Sequence, residues 1–258
     1  TTMEIEWSNL KAYQLRDLVK RDATVIIPVG STEQHGPHLP VQVDSLIVQE
    51  VACRSAKIIV KEHPIVVTPT VWTGLAEHHM AFGGTFTLDF STFHSLLRCI
   101  CRSVLEHGFR RVLLLNGHGG NITALNIVVG ELSRELGPGI ATATYWMISQ
   151  AQSDYEKILE KQTTVCHACE AETSMLLHLK PELVDTQAMA SVNGADVGIA
   201  KQPGIYEWHS FADFSDSGVI GMPAAASAEK GDQLLNAAAS ALAAEISSGA
   251  IWKRVGGS

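Results

Sequence analysis

The chain has 258 residues, 46% of them apolar and 18% charged. That length favours one large α/β domain over two, and that composition excludes disorder and low complexity. Nineteen basic against 27 acidic residues give a net charge of −8. With no basic run, there is no electrostatic reason to expect nucleic acid or an anionic membrane as a partner.

The predicted elements alternate. Thr24 to Val29 is a continuous apolar run ending at Gly30, the pattern of a strand buried on both faces. Ser45 to Val60 has helical spacing, and Ile65 to Thr68 is a second strand stopped by Pro69. From Ser91, an N-cap candidate, apolar residues recur at helical spacing until Gly108. Arg111 to Leu115 is a third strand, followed by a helix from Ala124 to Leu136. A strand from Ile140 to Trp146, a helix from Glu172 to Leu179 and an Ala-rich helix from Ala228 to Ile246 complete the set. This alternation implies βαβ units and a mainly parallel sheet covered on both faces. The stretch from Ala190 to Ala225 reads as long loops over one end of that sheet. No repeat or linker divides the chain, so residues 1–258 are expected to form one domain.

No basic, apolar and small-residue series opens the chain, and no apolar run reaches membrane-spanning length. The five cysteines, an odd number in a chain too large to need staples, read as reduced thiols, and a cytoplasmic location is expected. Cys166 and Cys169 form a lone CxxC, read as two small apolar side chains rather than a zinc knuckle.

Histidine is over-represented, with 11 copies. It is the commonest metal ligand and the usual acid/base near neutral pH. After the first strand comes Gly30-Ser31-Thr32-Glu33-Gln34-His35-Gly36-Pro37-His38-Leu39-Pro40, then Asp44 just before a helix. In an extended segment Glu33 and His35 share one side. After the third strand, His118 sits in a glycine-lined turn, Asn116 to Asn121. Sites in parallel sheets lie at the carboxyl ends of strands. Glu33, His35, Asp44 and His118 at two such ends form a donor set suited to Zn²⁺ or Mn²⁺. A phosphate loop is disfavoured: the Walker lysine is missing, and the first strand carries no G-x-G-x-x-G. In a third cluster, Cys166 to Ser174, Glu170 and Glu172 point in different directions on a helix, so at most one of them can join the same site, and His167 is an acid/base candidate.

Together, Glu33 to Pro40, Asn116 to Asn121, His167 to Ser174 and Ala228-Glu229-Lys230-Gly231 resemble the creatininase (creatinine amidohydrolase) family. The segment Phe82-Gly83-Gly84-Thr85 is similar to that family's phenylalanine-proline-glycine-threonine, with Gly83 in place of proline. The resemblance implies a three-layer α/β/α fold, a hexamer, and two divalent metal ions, Zn or Mn, per subunit. It places Glu33 and His118 on one metal, His35 on the other and Asp44 between them. The family glutamate two residues after the glycine-loop histidine is Gly120 here, so the fifth ligand is assigned to Glu170. Two dications against three carboxylates leave one positive charge, which a bridging hydroxide cancels.

The activity this implies is hydrolysis of a small, cyclic amide such as creatinine by that hydroxide, with His167 as general acid and Glu172 orienting it. Trp146, His79, Trp208, His209 and Gly119 are the candidate substrate contacts. His38 is a further rim candidate, and His78 is left open beside His79. Creatinine fits less well than the family: no aromatic lies between Lys161 and Cys166, and Gly119 replaces an aromatic. Formamide deformylation and cleavage of a C-terminal peptide fragment, as in mycofactocin maturation, are the alternatives within the family. A metal-binding scaffold without activity is the alternative outside it. His63, His94, His107 and His178 call for no functional reading.

Overall fold

The computed structural model describes residues 3–196 and 206–252. Four strands, β1 (Thr24–Val29), β2 (Ile65–Val67), β3 (Arg111–Asn116) and β4 (Ile140–Thr144), form one sheet in the order β2-β1-β3-β4, every pair parallel. Side chains on β1 and β3 alternate between two cores. Ile26, Leu113 and Leu115 join one, while Val25, Ile27, Val112 and Leu114 join the other. A parallel strand buried on both faces needs this continuous apolar run, because there is no solvent face to carry polar residues. Each such large side chain contributes roughly 1.5–3 kcal/mol by leaving water.

Helices α2 (Val43–Ile59), α5 (Ser149–Ile158), α6 (Glu170–Leu179) and α8 (Ala228–Ser248) supply the first core. Helices α1 (Ala12–Lys20), α3 (Phe90–Glu106) and α4 (Ile122–Leu136) supply the second. The result is the expected three-layer α/β/α sandwich. The chain leaves β1 toward β2 on one side and returns to place β3 on the other. The carboxyl ends of β1 and β3 therefore flank the switch in strand order, where a crevice forms.

Two glycines let α2 close onto that crevice. A Cβ at Gly30 would lie 2.6 Å from the Ser45 hydroxyl, and one at Gly117 would lie 2.9 Å from the Asp44 carbonyl. Gly231 does the same between α8 and α6, where a Cβ would lie 2.0 Å from the Ser174 carbonyl.

Several boundaries differ from the sequence reading. The fourth strand ends at Thr144, its last residue in register with β3, and Tyr145–Met147 coil into a 3₁₀ turn. Helix α3 is capped by Asp89, whose carboxylate accepts from the Thr92 N–H at 2.7 Å and the Ser91 hydroxyl at 2.8 Å. Helix α2 starts at Val43, so Asp44 lies in its first turn rather than before it. Helix α6 starts at Glu170, not Glu172. Helices α1, α5 and α7 (Thr186–Ser191) were not anticipated; α5 is largely polar and α7 is a turn and a half long, so neither shows a clear period.

Candidate metal centre

Glu33 and His35 leave the loop after β1, Asp44 the first turn of α2, His118 the loop after β3, and Glu172 the first turn of α6. All five are buried. Asp44 stands in the middle, with Oδ1 3.2 Å from His35 Nε2 and Oδ2 3.1 Å from His118 Nδ1. Glu33 Oε2 lies 3.0 Å from the same His118 nitrogen, and Glu172 Oε2 lies 3.7 Å from His35 Nε2.

The far ring nitrogens are held by backbone carbonyls. His118 Nε2 meets the Leu75 carbonyl at 3.0 Å and His35 Nδ1 the Glu33 carbonyl at 3.1 Å. Each contact fixes the tautomer that turns an imidazole lone pair inward, as around a metal ligand. Glu33 Oε2 also accepts from the Ser31 hydroxyl at 2.7 Å.

The cluster is electrostatically incomplete. Three inward atoms, Glu33 Oε1, His35 Nε2 and Asp44 Oδ2, are buried without an aligned hydrogen bond. Burial works against the charged forms of both imidazoles. Even so, Asp44 and Glu172 hold His35 well above the ordinary histidine range, and Glu33 and Asp44 do the same to His118. Burial, reinforced by Asp44, raises Glu172. Three buried carboxylates whose only charged partners among the described residues are imidazoles suit cations at the centre. Ligand atoms of Glu33, His35 and Asp44 lie within 4.8 Å of one another, as do those of His35, His167 and Glu172 and those of Glu33, His79 and His167.

A second histidine layer covers the first. His79 Nε2 lies 3.1 Å from Glu33 Oε1, and His167 Nδ1 lies 3.6 Å from the same oxygen. Gln34 ties this layer together. Its amide nitrogen is 2.9 Å from His79 Nδ1, 3.1 Å from His167 Nε2 and 3.1 Å from the Gly218 carbonyl, and its Oε1 accepts from the Gly36 N–H at 2.9 Å. His167 Nε2 also meets the Gln34 backbone carbonyl at 2.7 Å, the shorter contact, which makes Nε2 the protonated nitrogen and Nδ1 the free one. Burial, with His35 and His79 nearby, pushes His167 well below the ordinary range and favours its neutral ring.

The family model for creatinine amidohydrolase matches residues 8–246. The chain belongs to the creatininase family. The mycofactocin precursor peptide peptidase of Mycobacterium tuberculosis is 31% identical over 224 residues, covering 83% of this chain and 80% of the relative. The creatinine amidohydrolase of Pseudomonas putida is 29% identical over 197 residues, covering 70% and 72%. A glutamate-to-glutamine creatininase mutant of Zn–Zn type superposes with a TM-score of 0.82 at 25% identity, covering 95% of this chain and 98% of that one. A manganese creatininase superposes with a TM-score of 0.80 at 24% identity, with the same coverage.

The fifth-ligand assignment departs from the sequence reading. Glu170 is turned away from the cluster. Its carboxylate accepts from the Glu160 and Lys161 N–H groups, each at 2.9 Å, and from Lys230 Nζ at 2.8 Å. The Ala-Glu-Lys-Gly motif thus supplies the partner of Glu170, and Glu172 takes the place at the cluster. Nor does Glu172 reach His167 by a hydrogen bond; it accepts from the Ala168 N–H at 2.6 Å and faces His35. At Gly120, which stands where the family has a glutamate, a Cβ would lie 2.3 Å from the Leu75 carbonyl and 2.4 Å from His118 Nε2. A glutamate does not fit there. Gly83, the family's proline position, has φ 77°, which proline's ring forbids.

Of the expected substrate contacts, the structure brings only His79 into the cluster. Trp146 is buried against Tyr145, ring centroids 4.8 Å apart, within the first core. Trp208 is exposed, and His209 pairs along its own segment with Glu207 at 3.1 Å and Asp213 at 3.7 Å. Gly119 opens a 3₁₀ turn beside His118, and a Cβ there would meet nothing within 4 Å. His38 is no rim residue: it is buried, with Nε2 2.9 Å from the Thr173 hydroxyl on α6. His78 stacks on His118 at 5.5 Å and pairs with no carboxylate among the described residues.

Gln34 and Phe211 escaped the sequence reading. Gln34 lay inside a quoted motif, but its amide finds its partners 45 and 133 residues away. Phe211 lies in an irregular stretch where no period places an aromatic. An apolar cavity of about 650 Å³ opens elsewhere, among Trp7, Trp72, Leu96 and Ile100; none of its lining residues belongs to the cluster.

Proposed function

We propose that this protein is a dinuclear metal-dependent amidohydrolase that cleaves the C–N bond of a small amide. The observation that carries the reading is Asp44, whose two oxygens face two different imidazoles, with Glu33 on one side and Glu172 on the other. Glu33, Asp44 and His118 would hold one divalent ion; His35, Asp44 and Glu172 would hold the second. Zn²⁺ and Mn²⁺ both suit these donors. Bound there, the ions would acidify a water and polarise an amide carbonyl.

The chain supplies the rest. His167 keeps Nε2–H on the Gln34 carbonyl and presents Nδ1 to the centre, so Nδ1 takes up a proton and delivers it to the leaving nitrogen. His79, bound by Gln34 at Nδ1, sets Nε2 3.1 Å from Glu33 Oε1 and confines that carboxylate. Burial of the whole group keeps bulk water from competing. The peptidase activity of the M. tuberculosis relative keeps short peptides among the substrates to test beside cyclic amides and formamides.

Stripping the protein with chelator, reloading it with Zn²⁺ or Mn²⁺, and assaying creatinine, N-formyl compounds and short peptides tests the reading. Metal-restored hydrolysis of one class, abolished in His118→Ala, is the expected outcome. Full activity in the stripped protein would refute it.

A further inference from the structure

The outermost ring over the histidine layer belongs to Phe211. Its centroid lies 4.3 Å from His79, 5.0 Å from His78 and 5.2 Å from His167, meeting His79 and His167 nearly edge-on at 64° and 83°. His79 and His167 are buried, whereas Phe211 is only half-buried, so part of the ring that touches them stays open to solvent.

The position is built. Phe211 begins a 3₁₀ turn closed by reciprocal Ser210 and Asp213 contacts, with the Ser210 N–H on Asp213 at 3.0 Å and the Ala212 N–H on the Ser210 hydroxyl at 3.3 Å. Behind it, the chain is fastened to the acid/base residue itself: the Ile220 N–H donates to the His167 carbonyl at 2.9 Å and the His167 N–H to the Ile220 carbonyl at 3.3 Å. Between them, the Gly218 carbonyl accepts from Gln34, and a Cβ at Gly218 would strike the Gln34 Oε1 at 2.2 Å. Ring, acid/base residue and clamp are therefore one unit. Across the cluster, Gly119 leaves the space beside His118 open.

We propose that Phe211 is the specificity-determining wall of the site, favouring an amide that carries a flat apolar group beside the scissile bond. An aromatic or unsaturated group against Phe211 gains stacking beyond its buried area; a methyl group does not. The inference rests on the dinuclear reading above.

Binding of two hydroxamates to the Zn-loaded protein, measured by calorimetry, tests both without relying on turnover. Acetohydroxamate and benzohydroxamate share the metal-chelating head and differ in the flat group. Wild type is expected to prefer benzohydroxamate by about tenfold, Phe211→Leu by less, and Phe211→Ala by at most about twofold. Circular dichroism checks that each variant folds, and Phe211→Leu keeps the test open if Phe211→Ala does not. A preference unchanged in a folded variant, or absent from wild type while acetohydroxamate binds, overturns the wall. Failure of both hydroxamates to bind wild type overturns the metal centre and the wall with it.

Discussion

The molecule buries charge in two places along α6, and the two are finished differently. At Glu170 the carboxylate faces two backbone N–H groups and the Lys230 ammonium, which also reaches Glu160 at 2.8 Å and the Ala225 carbonyl at 2.7 Å. Every strong group there has a partner within the chain. Two residues on, Glu172 belongs to a cluster of three carboxylates that has no lysine or arginine partner among the described residues, with three inward atoms unsatisfied. The first arrangement is a complete fastening between α6, α8 and the segment at 160. The second, on the proposed reading, is completed by cations.

Removing one charge should therefore act on different properties in the two places. Asp44→Asn is expected to lower metal content and to cut turnover by more than about 100-fold, beyond the loss usual for a residue behind a ligand. The unfolding midpoint of the chelator-treated variant should change little from that of chelator-treated wild type, since losing Asp44's attraction to the two imidazoles is offset by losing its repulsion of Glu172. A large drop in that midpoint would mean that the cluster is a structural fastening too.

Lys230→Met should do the reverse. It leaves Glu170 buried without its cation, at a cost of roughly 3–5 kcal/mol in denaturant unfolding, with the number of bound metal ions unchanged. Loss of metal from that variant would erase the distinction.

Acid stability sharpens the contrast through His38, buried beside α6 but bonded to Thr173 rather than to a carboxylate. Burial lowers its pKa from 6.5 to about 4. The folded protein takes up this proton less readily than the unfolded chain, so stability is lost as pH falls from about 6.5 toward 4, by roughly 3 kcal/mol at most. His38→Gln should flatten that part of the pH dependence in denaturant melts. An unchanged slope would assign it elsewhere.

The smallest effect is expected at Gly120. A methyl group there meets the Leu75 carbonyl and His118 Nε2, so Gly120→Ala should cost about 1–3 kcal/mol by overpacking and weaken metal binding. Unaltered stability and metal affinity would show that the 118–120 turn yields easily.

Much of this was legible in the chain. The apolar runs of β1 and β3 have no polar alternation, so burial on both faces and a parallel sheet follow from pattern alone. Glu33, His35, Asp44 and His118 stand at loop or helix starts next to those runs, where local order is enough to bring them together. The choice between Glu170 and Glu172 was not legible. Both lie in one helical turn, and which one faces the cluster depends on Lys230, 60 residues on, and on the loop at Glu160. Trp146 misled for a similar reason: a strand continued to 146 would present it near the crevice, but the 3₁₀ turn after Thr144 sends it into the core. The roles of Gln34 and Phe211 depend on contacts between segments far apart in the chain, which neither spacing nor composition encodes.

The central claim is a two-cation centre that uses Glu172 and not Glu170. Its most direct test is the metal content per chain after equilibrium dialysis against Zn²⁺ or Mn²⁺, compared for wild type, Glu170→Gln and Glu172→Gln. Two ions are expected in wild type and in Glu170→Gln, and fewer in Glu172→Gln. Wild type without bound metal, or metal lost from Glu170→Gln and kept in Glu172→Gln, would contradict it.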